Sequence, residues 1–305
     1  MIWKDYKAEI QEIKLPGIEN TNIQLSILRE DLSHPEISGN KYRKLKYNLI
    51  EAEKLSFKKL ITFGGAFSNH IAATAAAGKL YDFETIGIIR GEELESKIEE
   101  NATLRFAKQC GMQLYFISRE KYRTKNDLNF LEQLKSKFPN AYIVPEGGTN
   151  DLAIKGCKEI LYDKCFDYDY IGSAIGTSGT IAGLIESCAN HQKILGFPSL
   201  KGDFITNDIQ QLTSKNNFTI FNDYHLGGYG KVNEELVNFI NDFKHLNGIQ
   251  LDPIYTGKMF LGITDLVKKN YFTNNTSILL VHTGGLQGIE GMNNFLRKKN
   301  KKTIE

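Results

Sequence analysis

This chain is poor in several things, and each shortage removes a class of function. Its 305 residues include only four cysteines, Cys110, Cys157, Cys165 and Cys188, with no C-x-x-C pair among them. Such a set makes neither a disulfide scaffold nor a zinc ribbon and reads as reduced thiols in a cytoplasmic protein. The six histidines are scattered, without the spacing of a ligand set, so no metal site is expected. Charge of either sign is scarce in the balance: 38 basic against 36 acidic residues leave +2. No basic field calls for nucleic acid or an anionic membrane as partner. Apolar runs such as Ser277-Ile-Leu-Leu-Val281 are far too short to span a bilayer. The opening Met1-Ile-Trp-Lys-Asp-Tyr-Lys has no apolar core of a secretory signal. Missing too are G-x-x-x-x-G-K-[ST], G-x-G-x-x-G and, around Ser68, G-x-S-x-G, which disfavours nucleoside triphosphates, dinucleotides and serine-hydrolase chemistry.

What is present is an alternation of two periodicities. Strand-like runs at Leu60–Phe63, Thr85–Ile89, Gln113–Ile117, Ala141–Val144, Tyr170–Ile175, Lys193–Phe197, Phe218–Phe221 and Ser277–Val281 are separated by helix-period stretches. Those run from Tyr42 to Leu55, Asn69 to Leu80, Glu99 to Cys110, Asn126 to Phe138, Asp151 to Leu161, Thr180 to Ala189, Glu234 to Leu246 and Lys258 to Lys269. The pattern predicts an α/β protein with parallel sheets covered by helices. Several runs lack polar alternation, as strands buried on both faces do. The basic stretch Arg297-Lys-Lys-Asn-Lys-Lys302 reads as a solvated helix end.

Four strand-like runs end in glycine-rich turns that open helices: Phe63-Gly-Gly-Ala-Phe-Ser-Asn-His70, Gly147-Gly-Thr-Asn150, Ile175-Gly-Thr-Ser-Gly-Thr180 and His282-Thr-Gly-Gly-Leu-Gln-Gly288. Ligands of open α/β sheets bind at the carboxyl ends of strands, so these turns can meet at one crevice. In Gly176-Thr177-Ser178-Gly179-Thr180 the glycines let backbone N–H groups approach an anion, three hydroxyls add donors, and a helix N-terminus follows. That composition suits a phosphate, or else a plain capped turn. Ser68-Asn69-His70 sits where a helix starts; it either caps that helix or lends the same N–H groups to a carboxylate. Lys41 follows the tight Ser38-Gly39-Asn40 turn, and Lys44 lies one helical turn on and faces the same way. Both belong to a stretch rich in basic residues (Lys41, Arg43, Lys44, Lys46) that could simply be a solvated helix face. A lysine on a fixed turn also suits covalent catalysis on a carbonyl, with its neighbour left to neutralise a phosphate.

Taken in order, Arg29-Glu-Asp-Leu-Ser-His-Pro-Glu-Ile-Ser-Gly-Asn-Lys-Tyr-Arg-Lys-Leu45, Phe63-Gly-Gly-Ala-Phe-Ser-Asn-His70, Gly147-Gly148, the Gly176–Thr180 loop, Leu251-Asp-Pro-Ile-Tyr-Thr-Gly-Lys258 and Val281-His-Thr-Gly-Gly285 resemble the D-cysteine desulfhydrase/1-aminocyclopropane-1-carboxylate deaminase family. These are pyridoxal-phosphate enzymes of the tryptophan-synthase-β fold type, and the resemblance runs nearly end to end. It implies two open α/β domains with the cofactor in the cleft between them. A large domain would take residues 1–44 and 148–305, a small one residues 45–147, and two copies would form a homodimer. It implies that Lys41 carries the cofactor covalently, that Lys44 lies near its phosphate, and that Gly176, Thr177, Ser178, Gly179 and Thr180 cradle that phosphate. Asn69 matches the partner of the cofactor's phenolic oxygen, and Ser68 a serine that meets the substrate carboxylate or assists proton transfer. Tyr229 and Tyr255 match two active-site tyrosines. His70 and Thr256 join Ser68, Asn69 and the tyrosines around the substrate, and Thr283 lies by the cofactor.

Two positions bear on the substrate, an amino acid. Deaminases of the family carry Glu where this chain has Thr256 and Leu where it has Thr283. A carboxylate at the pyridine nitrogen favours its protonated, more electron-withdrawing form, whereas a hydroxyl leaves it largely neutral. Expelling thiolate from a β-carbon needs less help than opening a cyclopropane. The expected activity is therefore β-elimination of D-cysteine or a related D-amino acid to pyruvate, ammonia and sulfide. The alternatives are deamination of 1-aminocyclopropane-1-carboxylate to 2-oxobutyrate and a non-catalytic protein that binds pyridoxal phosphate or an amino acid.

Overall fold

The structure, a computed structural model, describes residues 3–18 and 21–305. Among the described residues ten strands form two sheets: β1 (Ile10–Glu12), β2 (Gln24–Leu28), β3 (Lys59–Gly64), β4 (Glu84–Arg90), β5 (Gln113–Ile117), β6 (Ala141–Ile143), β7 (Tyr170–Ile175), β8 (Lys193–Pro198), β9 (Phe218–Ile220) and β10 (Ser277–Val281). The six-stranded sheet has the order β1-β2-β10-β7-β8-β9 and the four-stranded sheet the order β5-β4-β3-β6. Every ladder is parallel except β1 with β2. The helices are α1 (Asn40–Lys54), α2 (Asn69–Tyr81), α3 (Ala102–Gln109), α4 (Arg119–Arg123), α5 (Leu128–Lys137), α6 (Asp151–Cys157), α7 (Gly179–Ser187), α8 (Phe204–Leu212), α9 (Glu234–Asn247), α10 (Thr256–Lys268) and α11 (Gly288–Lys298).

Each of the eight strand-like runs lies in a sheet. Pairing adds β1 and β2, whose short sequences carry little signal; Ser26 within β2 is fully buried. Two more helices, α4 and α8, also went unread in the sequence, while α11 was marked there only by the turn ending at Gly288 and the basic helix end from Arg297. The stretch from Glu99 is shortened because Asn101 caps α3, accepting from the Leu104 N–H at 2.9 Å.

The larger sheet is apolar on both faces because period-2 alternation feeds two cores. In β10, Ile278 and Leu280 face the core built with α9 and α10, while Leu279 and Val281 face the one built with α7. In the smaller sheet, α2 packs close because it is made of small residues: His70 through Gly78 are all buried. α1 joins the two parts. Its Leu45, Leu49 and Ala52 pack with Leu60 and Ala73 of the smaller sheet's core, and its other side crosses α6. That crossing is tight: a Cβ on Gly156 would lie 2.0 Å from the carbonyl oxygen of Arg43.

The basic stretch of α1 is not a solvated face. Arg43 reaches inward and clamps Glu30 through two hydrogen bonds of 3.0 and 2.7 Å, and it donates to the Tyr6 carbonyl at 2.6 Å. Both partners are almost wholly buried, and burial pushes the Glu30 carboxyl upward against the pull of Arg43. Removing one partner strands the other's charge. Arg43→Met should therefore lower stability by about 3–5 kcal/mol in urea denaturation, and Arg43→Met with Glu30→Met should regain much of that loss. A loss under about 1 kcal/mol for the single variant would refute the pairing.

Candidate active site

The carboxyl ends of strands from both sheets open onto one cleft of about 320 Å³. Its walls come from the turn after β3 (Gly65 to His70), the end of β4, the turn after β6, the loop between β7 and α7, the start of α1 and the turn after β10.

Lys41 is the second residue of α1. The turn before it depends on Gly39, at φ +67°, where a Cβ would fall 2.0 Å from the carbonyl oxygen of Thr283. The Asn40 N–H donates to that same oxygen at 3.2 Å, and Asn40 Nδ2 donates to Thr180 Oγ1 at 2.8 Å. The lysine is thus tied by backbone to β10 and by its neighbour's side chain to α7. Burial, reinforced by the Lys44 charge, brings the Lys41 amine down to about 7.

Lys44 is buried more deeply, and burial lowers it to about 8. Its ammonium donates to the Gly147 carbonyl (3.0 Å), Thr149 Oγ1 (2.9 Å) and Thr177 Oγ1 (3.1 Å). All three N–H groups are therefore used in joining the turn after β6 to the loop after β7. Lys44 acts on that loop by holding its shape and by its field, with no donor left for an anion.

The Gly176–Thr180 loop fits a phosphate. Ser178 adopts a left-handed backbone (φ 59°), and its hydroxyl is buried with no hydrogen-bond partner. An orphaned buried hydroxyl at the head of a helix is a donor awaiting an acceptor. Gly176, Thr177, Ser178 and Thr180 line the cleft. Gly179 stands just behind, where a Cβ would press on Thr149 (2.9 Å) and on Lys44 Nζ (3.1 Å).

Ser68 and Asn69 open α2. Ser68 Oγ accepts from the Ile71 N–H at 3.3 Å, so the serine caps the helix while it lines the cleft. Asn69, which lines the cleft, accepts at Oδ1 from Gln287 Nε2 at 2.8 Å, which leaves its amide nitrogen as the donor end of the side chain. His70 lines the deep wall with Nε2 2.7 Å from Thr62 Oγ1; burial and the charges of Lys41 and Lys44 hold it well below the usual histidine range, neutral at pH 7.

Tyr255 and Tyr229 meet edge to face, ring centroids 6.1 Å apart. Burial raises the Tyr255 hydroxyl well above the ordinary phenol, so it stays protonated. Tyr229, 40% exposed, stands at the mouth. It belongs to a loop with Gly227, Gly228 and Gly230 at positive φ, anchored from beneath by Lys258. The Lys258 ammonium donates to the carbonyls of His225 and Gly228, both at 2.9 Å.

Thr283 lines the cleft. Thr256, expected beside the substrate, does not. It is fully buried; its hydroxyl donates to Asp252 Oδ1 at 2.7 Å and accepts from the Asp252 N–H at 2.9 Å. Asp252 also accepts from the N–H groups of Ile254, Tyr255 and Thr256, satisfying the exposed donors at the start of α10. Its place in that cap is what keeps Thr256 from the cleft.

Sequence reasoning passed over five residues of this site: Arg90, Glu146, Thr149, Lys258 and Gln287. Thr149, Lys258 and Gln287 lie in motifs that were legible, but their partners are far away in sequence. Arg90 ends β4 and Glu146 follows β6, with no motif of their own.

The chain is similar to proteins of known family along most of its length. A profile described as "Pyridoxal-phosphate dependent enzyme" matches residues 9–284. The bifunctional D-cysteine desulfhydrase/1-aminocyclopropane-1-carboxylate deaminase of Arabidopsis thaliana mitochondria is 30% identical, over 92% of this chain and 76% of that one. The D-cysteine desulfhydrase of Klebsiella pneumoniae is 28% identical, over 86% of this chain and 87% of that one. The crystal structure of an ACC deaminase homologue superposes with a TM-score of 0.79 at 28% identity, covering 94% of this chain and 92% of that one. The chain belongs to the pyridoxal-phosphate dependent enzymes and, within them, to the D-cysteine desulfhydrase/1-aminocyclopropane-1-carboxylate deaminase family.

Proposed function

We propose that the protein catalyses β-elimination on D-cysteine or a related D-amino acid, releasing pyruvate, ammonia and sulfide. The observation that carries the reading is Lys41, an amine brought near neutrality on a turn held from two sides, sharing one cleft with the Gly176–Thr180 cradle and the start of α2. Pyridoxal phosphate, when bound, supplies the electron sink for charge developing at the substrate's Cα. Lys41 would hold it covalently, Ser178 and the N–H groups at the head of α7 would take its phosphate, and Asn69 Nδ2 would donate to its phenolic oxygen. The first-turn N–H groups of α2, which a helix leaves unpaired, and Ser68 Oγ would bind the substrate carboxylate.

The acid–base roles follow from the same electrostatics. A lysine near pH 7 is in large part neutral under ordinary conditions, so Lys41 Nζ can take the Cα proton. Tyr255, kept protonated by burial, serves as a donor; His70, neutral and bound to Thr62, shapes the wall. Tyr229 closes the mouth over the β-substituent. The desulfhydrase preference is supported by Thr283 in the cleft and by the two relatives whose names include D-cysteine desulfhydrase. Thr256 contributes only by what it is not: with its hydroxyl taken by Asp252, it offers the cofactor no carboxylate. A second reading, 1-aminocyclopropane-1-carboxylate deaminase, is favoured by the superposition on an ACC deaminase homologue. From the family resemblance alone we also read the enzyme as a cytoplasmic homodimer. The four strands between residues 59 and 143 support a small domain over 45–147, the rest forming the large one.

Purified protein given D-cysteine should release sulfide and pyruvate in equal amounts. If it instead turns over 1-aminocyclopropane-1-carboxylate to 2-oxobutyrate and leaves D-cysteine untouched, the second reading holds. Lys41→Ala should lose the borohydride-reducible attachment of pyridoxal phosphate, checked by mass spectrometry of the labelled peptide.

Capture of the cofactor by apo-protein needs the neutral amine. Its rate should rise with pH through about 7 and then level off. Lys44→Met removes a positive charge that lowers Lys41, so the midpoint should move to higher pH. An unmoved midpoint would refute the coupling. Lys258→Met should free the Tyr229 loop: we expect faster proteolytic nicking there and a drop of about tenfold in kcat/KM, carried mainly by KM.

A further inference from the structure

We propose that Arg90 forms a second anion-binding subsite in the cleft, so that the preferred substrates are amino acids whose β-substituent bears a negative charge. The proposal rests on the β-elimination reading, and names the class of substrate that the cleft selects.

Arg90 ends β4 at the lip of the cleft, one residue beyond the pairing of Gly64 with Ile89. Its guanidinium leans over the turn that leads to Ser68: a Cβ on Gly65 would lie 3.5 Å from Nη2. It stacks over the Tyr122 ring at 5.8 Å, yet among the described residues no carboxylate is close enough to pair with it. The one acidic residue that lines the cleft, Glu146, is engaged elsewhere. It accepts from the Tyr122 hydroxyl at 2.7 Å and pairs with Lys125 at 3.3 Å.

The charges of the cleft can then be assigned one by one. Three cations line it: Lys41, Lys44 and Arg90. Lys44 has spent its donors on Gly147, Thr149 and Thr177, and Lys41 is reserved for the cofactor. The substrate's α-carboxylate has the N–H groups at the head of α2. Arg90 remains as a fork of donors on the side of the cleft that carries β4, near enough for its charge to act on the Tyr229 hydroxyl. Such a fork suits a carboxylate, sulfonate or similar oxyanion, and Tyr122 beneath it limits its freedom in advance. A merely solvated strand-end arginine would do nothing to ligand preference, which makes the two accounts separable.

The test compares D-aspartate with D-asparagine, nearly equal in size and differing in charge, neither with a leaving group that elimination would expel. Dissociation constants are read from the change in the bound cofactor's absorbance or by calorimetry on the loaded enzyme. We expect the wild type to prefer D-aspartate. The preference ratio should fall about 10–100-fold in Arg90→Gln, the range for a hydrogen bond to a charged group, and recover in part in Arg90→Lys. Equal affinities in the wild type, failure of both ligands to bind a cofactor-loaded protein, or a ratio that survives Arg90→Gln would each overturn the subsite. None of these readouts requires turnover. An enzyme inert to D-cysteine that still prefers D-aspartate would refute the activity and leave the subsite standing, and the converse result would do the opposite.

Discussion

The geometry of the cleft depends on one buried ammonium. Lys44 cannot stay charged in the interior without partners, because an unpaired buried charge costs several kcal/mol. It finds them in a carbonyl and two hydroxyls from the turn after β6 and the loop after β7. Three separate pieces of chain, α1 itself, the turn beside the smaller sheet and the loop leaving the larger, are thereby brought to a single point. The same charge lowers its neighbour: Lys41, one helical turn away, is held near neutrality by burial first and by Lys44 second. A single side chain thus shapes the Gly176–Thr180 loop and lowers Lys41, the lysine proposed to hold the cofactor.

Elsewhere in the cleft, polar groups of the frame likewise use up their bonding capacity, leaving a few chosen atoms free. Asp252 satisfies the start of α10 with both carboxylate oxygens and ties down Thr256, which sets Tyr255 at the head of the helix. Lys258 saturates two carbonyls beneath Tyr229. Gln287 occupies the oxygen of Asn69 and so leaves its amide nitrogen as the donor. Among the described residues, two of the cleft's polar groups left without a hydrogen-bonding or charged protein partner are the Ser178 hydroxyl in the loop and the Arg90 guanidinium at the lip. Each of the two faces a place where a ligand's negative charge is expected.

Much of this was legible beforehand, and what was not has a common cause. The α/β class, the eight principal strands and the glycine-rich turns could be read because burial on a sheet or helix imposes a local period on the sequence. Lys41, Lys44, Ser68, Asn69, Tyr229, Tyr255 and the Gly176–Thr180 loop were found through separated motifs in a fixed order. β1 and β2 escaped because a three-residue strand and a strand interrupted by Ser26 show no period; they exist because β10 offers an edge to pair with. Thr256 was placed beside the substrate through the family resemblance, where deaminases carry Glu, but at the start of a helix successive side chains point in different directions, and this one turned toward Asp252.

By itself, then, the sequence determined the class of fold, the order of its elements and the kinds of group that would gather at the strand ends, since those follow from local periodicity and from residue chemistry. Only the tertiary structure decided which of those groups stay free. Lys44 and Arg90 are both cations in the linear chain. One is silenced by three partners from residues more than a hundred positions away, while the other meets only the Tyr122 ring, among the described residues. Whether a charge is spent or available is a matter of distance in space, and that distance is set by how the two sheets and α1 pack.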